Sequence, residues 1–134
     1  AWIGREAVRR ALWAQDGRCA PTGLVAEVEA RIGFLADAAA WSRTATPAAY
    51  AALAPAVVDL AGRGDATASD ILDEATAHLS DIVRALARAG ATELAVLGGL
   101  GAFFAPRLGE AGLRIVRPRG DALDGAIRLA SMAS

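Results

Sequence analysis

Four apolar residues, Leu94-Ala95-Val96-Leu97, run directly into Gly98-Gly99-Leu100-Gly101 and then into Ala102-Phe103-Phe104. An apolar run of this length, preceded by Gly90 and closed by glycines, predicts a strand buried on both faces, then a tight turn and a helix start. A strand buried on both faces belongs to a parallel sheet covered by helices, so this stretch commits the chain to an α/β architecture. Glycine carries no Cβ and tolerates positive φ, which lets the backbone of the turn approach a ligand closely. In open α/β sheets ligands sit outside the carboxyl ends of the strands, where this turn lies. Glycines between a strand and a helix are equally plain loop chemistry, and the turn alone does not separate the two readings.

Two phosphate-binding loops are rejected on residue identity. A P-loop needs a lysine, and all 14 basic residues of this chain are arginines. A dinucleotide fingerprint over Gly99-Leu100-Gly101-Ala102-Phe103-Phe104 would put bulky Phe104 where close helix packing requires glycine or alanine.

The chain has 134 residues, one domain's worth and long enough to bury a core. Its 54% hydrophobic content is inflated by alanine and only 5% is aromatic, which predicts a core of Ala, Leu, Val and Ile in close-packed helices. A net charge of −1 provides no basic field for nucleic acid or anionic lipid, and neither partner is expected. The single Cys19 cannot form an internal disulfide, and no apolar run approaches the ~20 residues of a membrane span, so a soluble, reducing compartment fits. The chain opens without an initiator Met or signal-peptide layout, directly into Ala1-Trp2-Ile3-Gly4-Arg5-Glu6-Ala7-Val8-Arg9-Arg10-Ala11-Leu12. Such an opening looks cut from something longer.

Ile3, Ala7, Ala11, Val8 and Leu12 form the apolar stripe of a first helix that ends at Asp16-Gly17. Thr22 is placed to cap a helix from Leu24 to about Phe34, and a short helix is expected from Leu35 to Arg43. Thr46-Pro47 pairs an N-cap residue with proline at the first helical position, and the helix it starts runs to about Gly62, kinked or split by Pro55. Asp65 caps the longest helix, in which Ala68, Ile71, Leu72, Ala75, Leu79, Ile82, Val83 and Leu86 recur at helical steps up to Gly90. Beyond Gly90 the period changes to a strand over 94–97, a helix near 102–109, a second strand near 113–117 and a last helix from about Asp121 to Ala130. The two strands are expected to be parallel, joined by a right-handed crossover, with the missing strands of the sheet upstream.

Candidates for chemistry are few. The lone histidine, His78, has no paired ligand or base in its helix, and Cys19 with His78 lacks a third orienting group. One cysteine and one histidine also exclude the usual zinc spacings. Asp70, Asp73, Glu74 and Asp81 fall opposite the apolar stripe of the long helix, as a solvated face would. Asp121 and Asp124 suit an N-cap and first-turn acid on the last helix. No catalytic residue and no metal ligand is assigned.

Ala-Trp-Ile-Gly-Arg-Glu-Ala at 1–7, Gly64-Asp65 heading a long helix, Leu97-Gly98-Gly99-Leu100-Gly101, and Gly120-Asp121-Ala122-Leu123-Asp124-Gly125-Ala126 succeed one another in an order and spacing that resemble the C-terminal lobe of the N-acetylglucosamine kinase family. That family shares its fold with the BadF/BadG/BcrA/BcrD-type ATPases, sugar kinases, chaperone ATPases and actin. The resemblance covers essentially the whole chain. It implies an α/β, helix-rich, ribonuclease-H-like lobe over 1–134, helical over about 1–90 and β-α-β-α over about 91–134, with an incomplete sheet. The family's Gly-Asp-Glu-Gly-Ser-Gly stretch, its Asp-Gly-Gly-Thr phosphate loop and the aspartate base are not in this chain.

By the same resemblance, Gly98, Gly99 and Leu100 match the adenosine motif, Phe103 matches a nucleotide-touching position on the next helix, and Leu60 and Ala61 match the region of the opposite wall. A phenylalanine at 103 replaces side-chain hydrogen bonding with stacking against the base. The implied function is the nucleotide-binding half of a cytoplasmic, ATP-dependent amino-sugar kinase acting on N-acetylglucosamine or glucosamine, with Mg2+ accompanying ATP. The sugar would be held mainly upstream, a homodimeric parent is allowed, and the isolated fragment is expected to be inactive. An ATPase component coupling hydrolysis to electron transfer is the alternative, although one cysteine suits its iron–sulfur cluster poorly. A helical interaction module is a third reading; it leaves the Gly98 turn unused.

Overall fold

The structure, a computed structural model, describes residues 1–109 and 112–132. It divides into two compact units, Ala1–Ala75 and Thr76–Ser134.

In the first unit, α1 (Trp2–Gln15) buries Ile3, Ala7, Val8 and Ala11, the expected stripe at three- and four-residue steps. Its one buried charged residue, Glu6, is paired with Arg9 and lies 3.9 Å from the Nε of Arg10. Gly4 sits directly against the backbone of Tyr50: an added Cβ there would overlap the Tyr50 carbonyl. α2 (Gly23–Ile32) stops two residues short of the expected Phe34, because Gly33 takes φ 85° and turns the chain out of the helix. A 3₁₀ turn over Leu35–Asp37 leads into α3 (Ala38–Thr44). Pro55 divides the next segment as anticipated, into α4 (Pro47–Ala51), capped by the Thr46 hydroxyl, and α5 (Ala54–Gly62).

One carboxylate ties two helix starts together. Asp65 Oδ1 accepts the Ala68 amide at 2.9 Å, capping α6 (Ala66–Arg88), and accepts the Thr22 hydroxyl at 3.1 Å, while that hydroxyl oxygen takes the Leu24 amide at the start of α2. Replacing Asp65 by alanine removes the cap and leaves the Thr22 hydroxyl without its acceptor. A loss of about 1–2 kcal/mol is expected, larger than for Thr46→Ala, as read from denaturant midpoints at constant slope. Ala68, Ile71, Leu72 and Ala75 of α6 are buried as the periodicity predicts. Glu74 departs from the solvated-face expectation: it bonds Arg10 across to α1 at 2.9 Å.

In the second unit α6 ends in a Schellman closure. Ala91 N–H bonds the Leu86 carbonyl, Gly90 N–H bonds that of Ala87, and Gly90 has φ 96°. β1 (Glu93–Leu94) pairs in parallel with β2 (Arg114–Ile115), Glu93 opposite Arg114 and Leu94 opposite Ile115. Both strands are shorter than the expected 94–97 and 113–117. The reading of a strand buried on both faces is also corrected: Glu93, Ala95 and Leu97 are exposed, Leu94 and Val96 half-buried. A ladder with one partner strand satisfies one side only, and among the described residues no third strand lies beside β1.

α7 (Gly101–Leu108) and α8 (Ala122–Met132) complete the β-α-β-α order. Asp121 Oδ1 accepts the amides of Leu123 and Asp124, and Asp124 Oδ2 returns a bond to the Asp121 amide at 2.8 Å, a reciprocal cap with the expected acid pair. Among the described residues of this unit, Val83, Gly101, Phe104, Leu108 and Leu113 are buried. The α6 stripe does not stay buried here, with Ile82 57% and Leu86 42% exposed.

Candidate functional site

The apolar run, the glycine turn and α7 enclose one side of a groove in the second unit. Its volume is about 440 Å3. The other side is the α6 stripe over Leu79, Ile82, Val83 and Leu86, with Phe104 and Leu108 from α7. Volume and aliphatic lining both fall in the range of small-molecule sites, and the polar contribution comes from backbone alone.

Each glycine of the turn has its own duty. Gly98 has φ 99°, a conformation that L side chains rarely adopt, and its carbonyl accepts the Gly101 amide at 2.9 Å to close the turn. Gly101 is closely packed, since a Cβ there would stand 3.2 Å from the Val96 carbonyl oxygen. Gly99 meets nothing: a Cβ built on it has no atom within 4 Å. A glycine with neither close packing nor a positive φ, between two that have one or the other, leaves the turn's outer edge bare. Leu100, the N-cap residue of α7, supplies no side-chain cap, so the first-turn amides of α7 have only backbone partners.

Of the anticipated site residues, Gly98, Gly99 and Leu100 come together in the groove lining. Phe103 does not line it. Its ring meets Phe104 edge-on, centroids 4.9 Å apart at 89°, and the Arg107 guanidinium lies over it at 3.6 Å from the centroid. Leu60 and Ala61 lie in the first unit, half-buried, at the end of α5. There the Leu60 carbonyl accepts the Arg63 and Asp65 amides, that of Ala61 accepts Gly64, and a Leu60 methyl carbon packs 3.4 Å from the Cβ position of Gly23. These contacts close α5 onto the start of α2.

The sequence reading missed Ile82, Leu86 and Phe104 as groove residues and Arg107 altogether. Ile82 and Leu86 carried the helical period of a core, and period does not report what covers a face, while the sequence marks Phe104 only as too bulky for a dinucleotide fingerprint. Arg107 stands at i+4 from Phe103, a spacing that does bring two helical side chains together. His78 and Cys19 are both exposed, and among the described residues no cluster of three or more His, Cys, Asp or Glu side chains is able to hold a metal ion.

No family model matches the chain, and neither does any curated protein. Among solved structures, a crystal structure of a Chromobacterium violaceum protein, provisionally assigned as an N-acetylglucosamine kinase, superposes with a TM-score of 0.80 at 35% sequence identity. The match covers 96% of this chain and 45% of that one, so the chain spans under half of the relative's length. Motif succession and solved structure point the same way: over 96% of its length the chain is similar to part of that provisionally assigned N-acetylglucosamine kinase.

Proposed function

We propose that this chain is the nucleotide-binding part of an ATP-dependent amino-sugar kinase, with N-acetylglucosamine or glucosamine as phosphoryl acceptor and a ribonuclease-H-like lobe as its architecture. The observation that carries the reading is the match, over 96% of the chain, to the structure provisionally assigned as an N-acetylglucosamine kinase. The groove supports it chemically. Bare backbone at Gly99 and an aliphatic wall suit an adenosine, whose purine is flat and largely apolar on its faces. On this reading Mg2+ accompanies ATP, and no metal ligand is assigned among these residues. When bound, ATP supplies the γ-phosphoryl group; the residues here hold the nucleoside.

The sugar, the general base and the phosphate loop belong to the rest of the two-lobed enzyme, whose lobes must close together around the nucleotide. The expected partner is the amino sugar, in the cytoplasm, with a homodimeric kinase allowed by the same family reading. None of the described helices is long and apolar enough to cross a membrane. The activator-ATPase alternative requires several thiolates around an iron–sulfur cluster, and Cys19 is the one cysteine here.

Titrating the 134 residues with adenosine and following amide resonances tests this. Saturable shifts centred on Gly98–Gly101 are expected, with no phosphorylation of N-acetylglucosamine when ATP, Mg2+ and sugar are all present. Absence of adenosine binding would overturn the nucleotide site, and sugar turnover by these residues alone would overturn the two-lobe assignment.

A further inference from the structure

We propose that Arg107, whose guanidinium lies over the Phe103 ring, is the surface on which the nucleobase stacks, with Phe103 acting through it as a positioning residue. The inference rests on the nucleotide reading above and changes which side chain meets the base. A guanidinium carbon 3.6 Å from the ring centroid is at stacking distance. Arg107 Nη1 also donates to the Phe103 carbonyl at 2.6 Å, so the guanidinium is held to its helix both over the ring and through one N–H. Phe103 itself is half-buried, covered on one side by Arg107 and met edge-on by Phe104. A base stacking on that covered face of Phe103 would have to displace the guanidinium.

Arg107 is exposed and has no carboxylate partner among the described residues. Its unused surface is a flat cationic face, and its chemistry selects the ligand. Phosphate and carboxylate bind arginine through an edge, by paired N–H bonds, and Nη1 is already committed to the Phe103 carbonyl, which leaves the Nε–Nη2 edge for an anion and the face for a planar group. The face is suited to a planar π system such as a purine. Position agrees. Phe104 and Leu108 line the groove, and Phe103 and Arg107 each precede one of them by one residue, about 100° around the same helix. The stacked pair therefore flanks the groove whose rim is the Gly98 turn.

Adenosine, which carries no phosphate, is the probe. Its affinity is compared for the protein and its Arg107→Ala, Arg107→Lys and Phe103→Leu variants, each checked for an unchanged denaturation midpoint. Arg107→Ala is expected to weaken adenosine about five- to tenfold, and Arg107→Lys nearly as much, because lysine keeps the charge without the planar face. Phe103→Leu should cause a comparable loss, and combining it with Arg107→Ala should add little. Unchanged adenosine affinity in a folded Arg107→Ala protein overturns this inference and leaves the nucleotide reading standing. Full rescue by lysine overturns the stack in favour of simple charge. Failure of the unsubstituted protein to bind adenosine overturns the nucleotide reading, and this inference with it.

Discussion

Gly4→Ala is expected to destabilise the first unit by about 3 kcal/mol, near the upper end for overpacking a close contact. Intrinsic propensity argues the other way, since alanine inside a helix is favoured over glycine by about 1 kcal/mol. Contact decides the sign. The Cβ would overlap the Tyr50 carbonyl oxygen and stand 2.7 Å from its carbon, and both belong to backbone that no side-chain rotation can move. Relief requires α1 to lift from α4, which would also disturb the Trp41–Tyr50 edge contact at 4.9 Å and the Arg5 guanidinium over the Tyr50 ring. Gly62→Ala, where a Cβ meets nothing within 4 Å, is the control and should be neutral or stabilising by up to about 1 kcal/mol. Urea titrations of the two variants check this. Equal stability of Gly4→Ala and the unsubstituted protein would mean that α1 and α4 do not approach as described.

Gly99→Val is expected to lower adenosine affinity at least about tenfold while leaving the fold intact, the loss corresponding to about 1.4 kcal/mol or more. The contrast between neighbouring glycines isolates the effect. A side chain at Gly98 would strain backbone held at φ 99°, and one at Gly101 would press on the Val96 carbonyl, so loss of binding in either variant could follow from altered structure. Gly99 carries neither burden, and its side chain would project into open space at the rim of the groove. The β-branched group then obstructs only a ligand that must approach the backbone there. Calorimetric titration with adenosine, beside a denaturation curve, separates the two effects. Undiminished affinity in the folded variant would remove the turn from the nucleotide site.

Helix punctuation was the most legible layer of this chain. Thr22, Thr46-Pro47, Pro55, Asp65, Gly90 and Asp121 each act within a few residues of themselves, through a cap, a missing amide or a positive φ, and each does so where the sequence predicts. The order of β1, α7, β2 and α8 and the parallel pairing were legible for a similar reason, since the period changes at Gly90 and a helix separates the strands. Strand extent was not. An apolar run shows what a segment is able to bury, and the ladder's length depends on how many neighbours it has; with β2 alone beside it among the described residues, β1 stops at Leu94.

The site divides along the same line. Residue identity alone excluded a P-loop, left no zinc spacing and placed a glycine turn after an apolar strand, because these statements concern chemistry carried by the residues themselves. Three-dimensional packing assigned different duties to Gly98, Gly99 and Gly101, turned the Ile82–Leu86 end of a core-like stripe into the wall of a groove, and put Phe104 rather than Phe103 against it. It also laid Arg107 over Phe103 and drew Glu74 to Arg10. A helical or strand period states which residues share a face; what that face meets is settled only when elements distant in sequence are brought together.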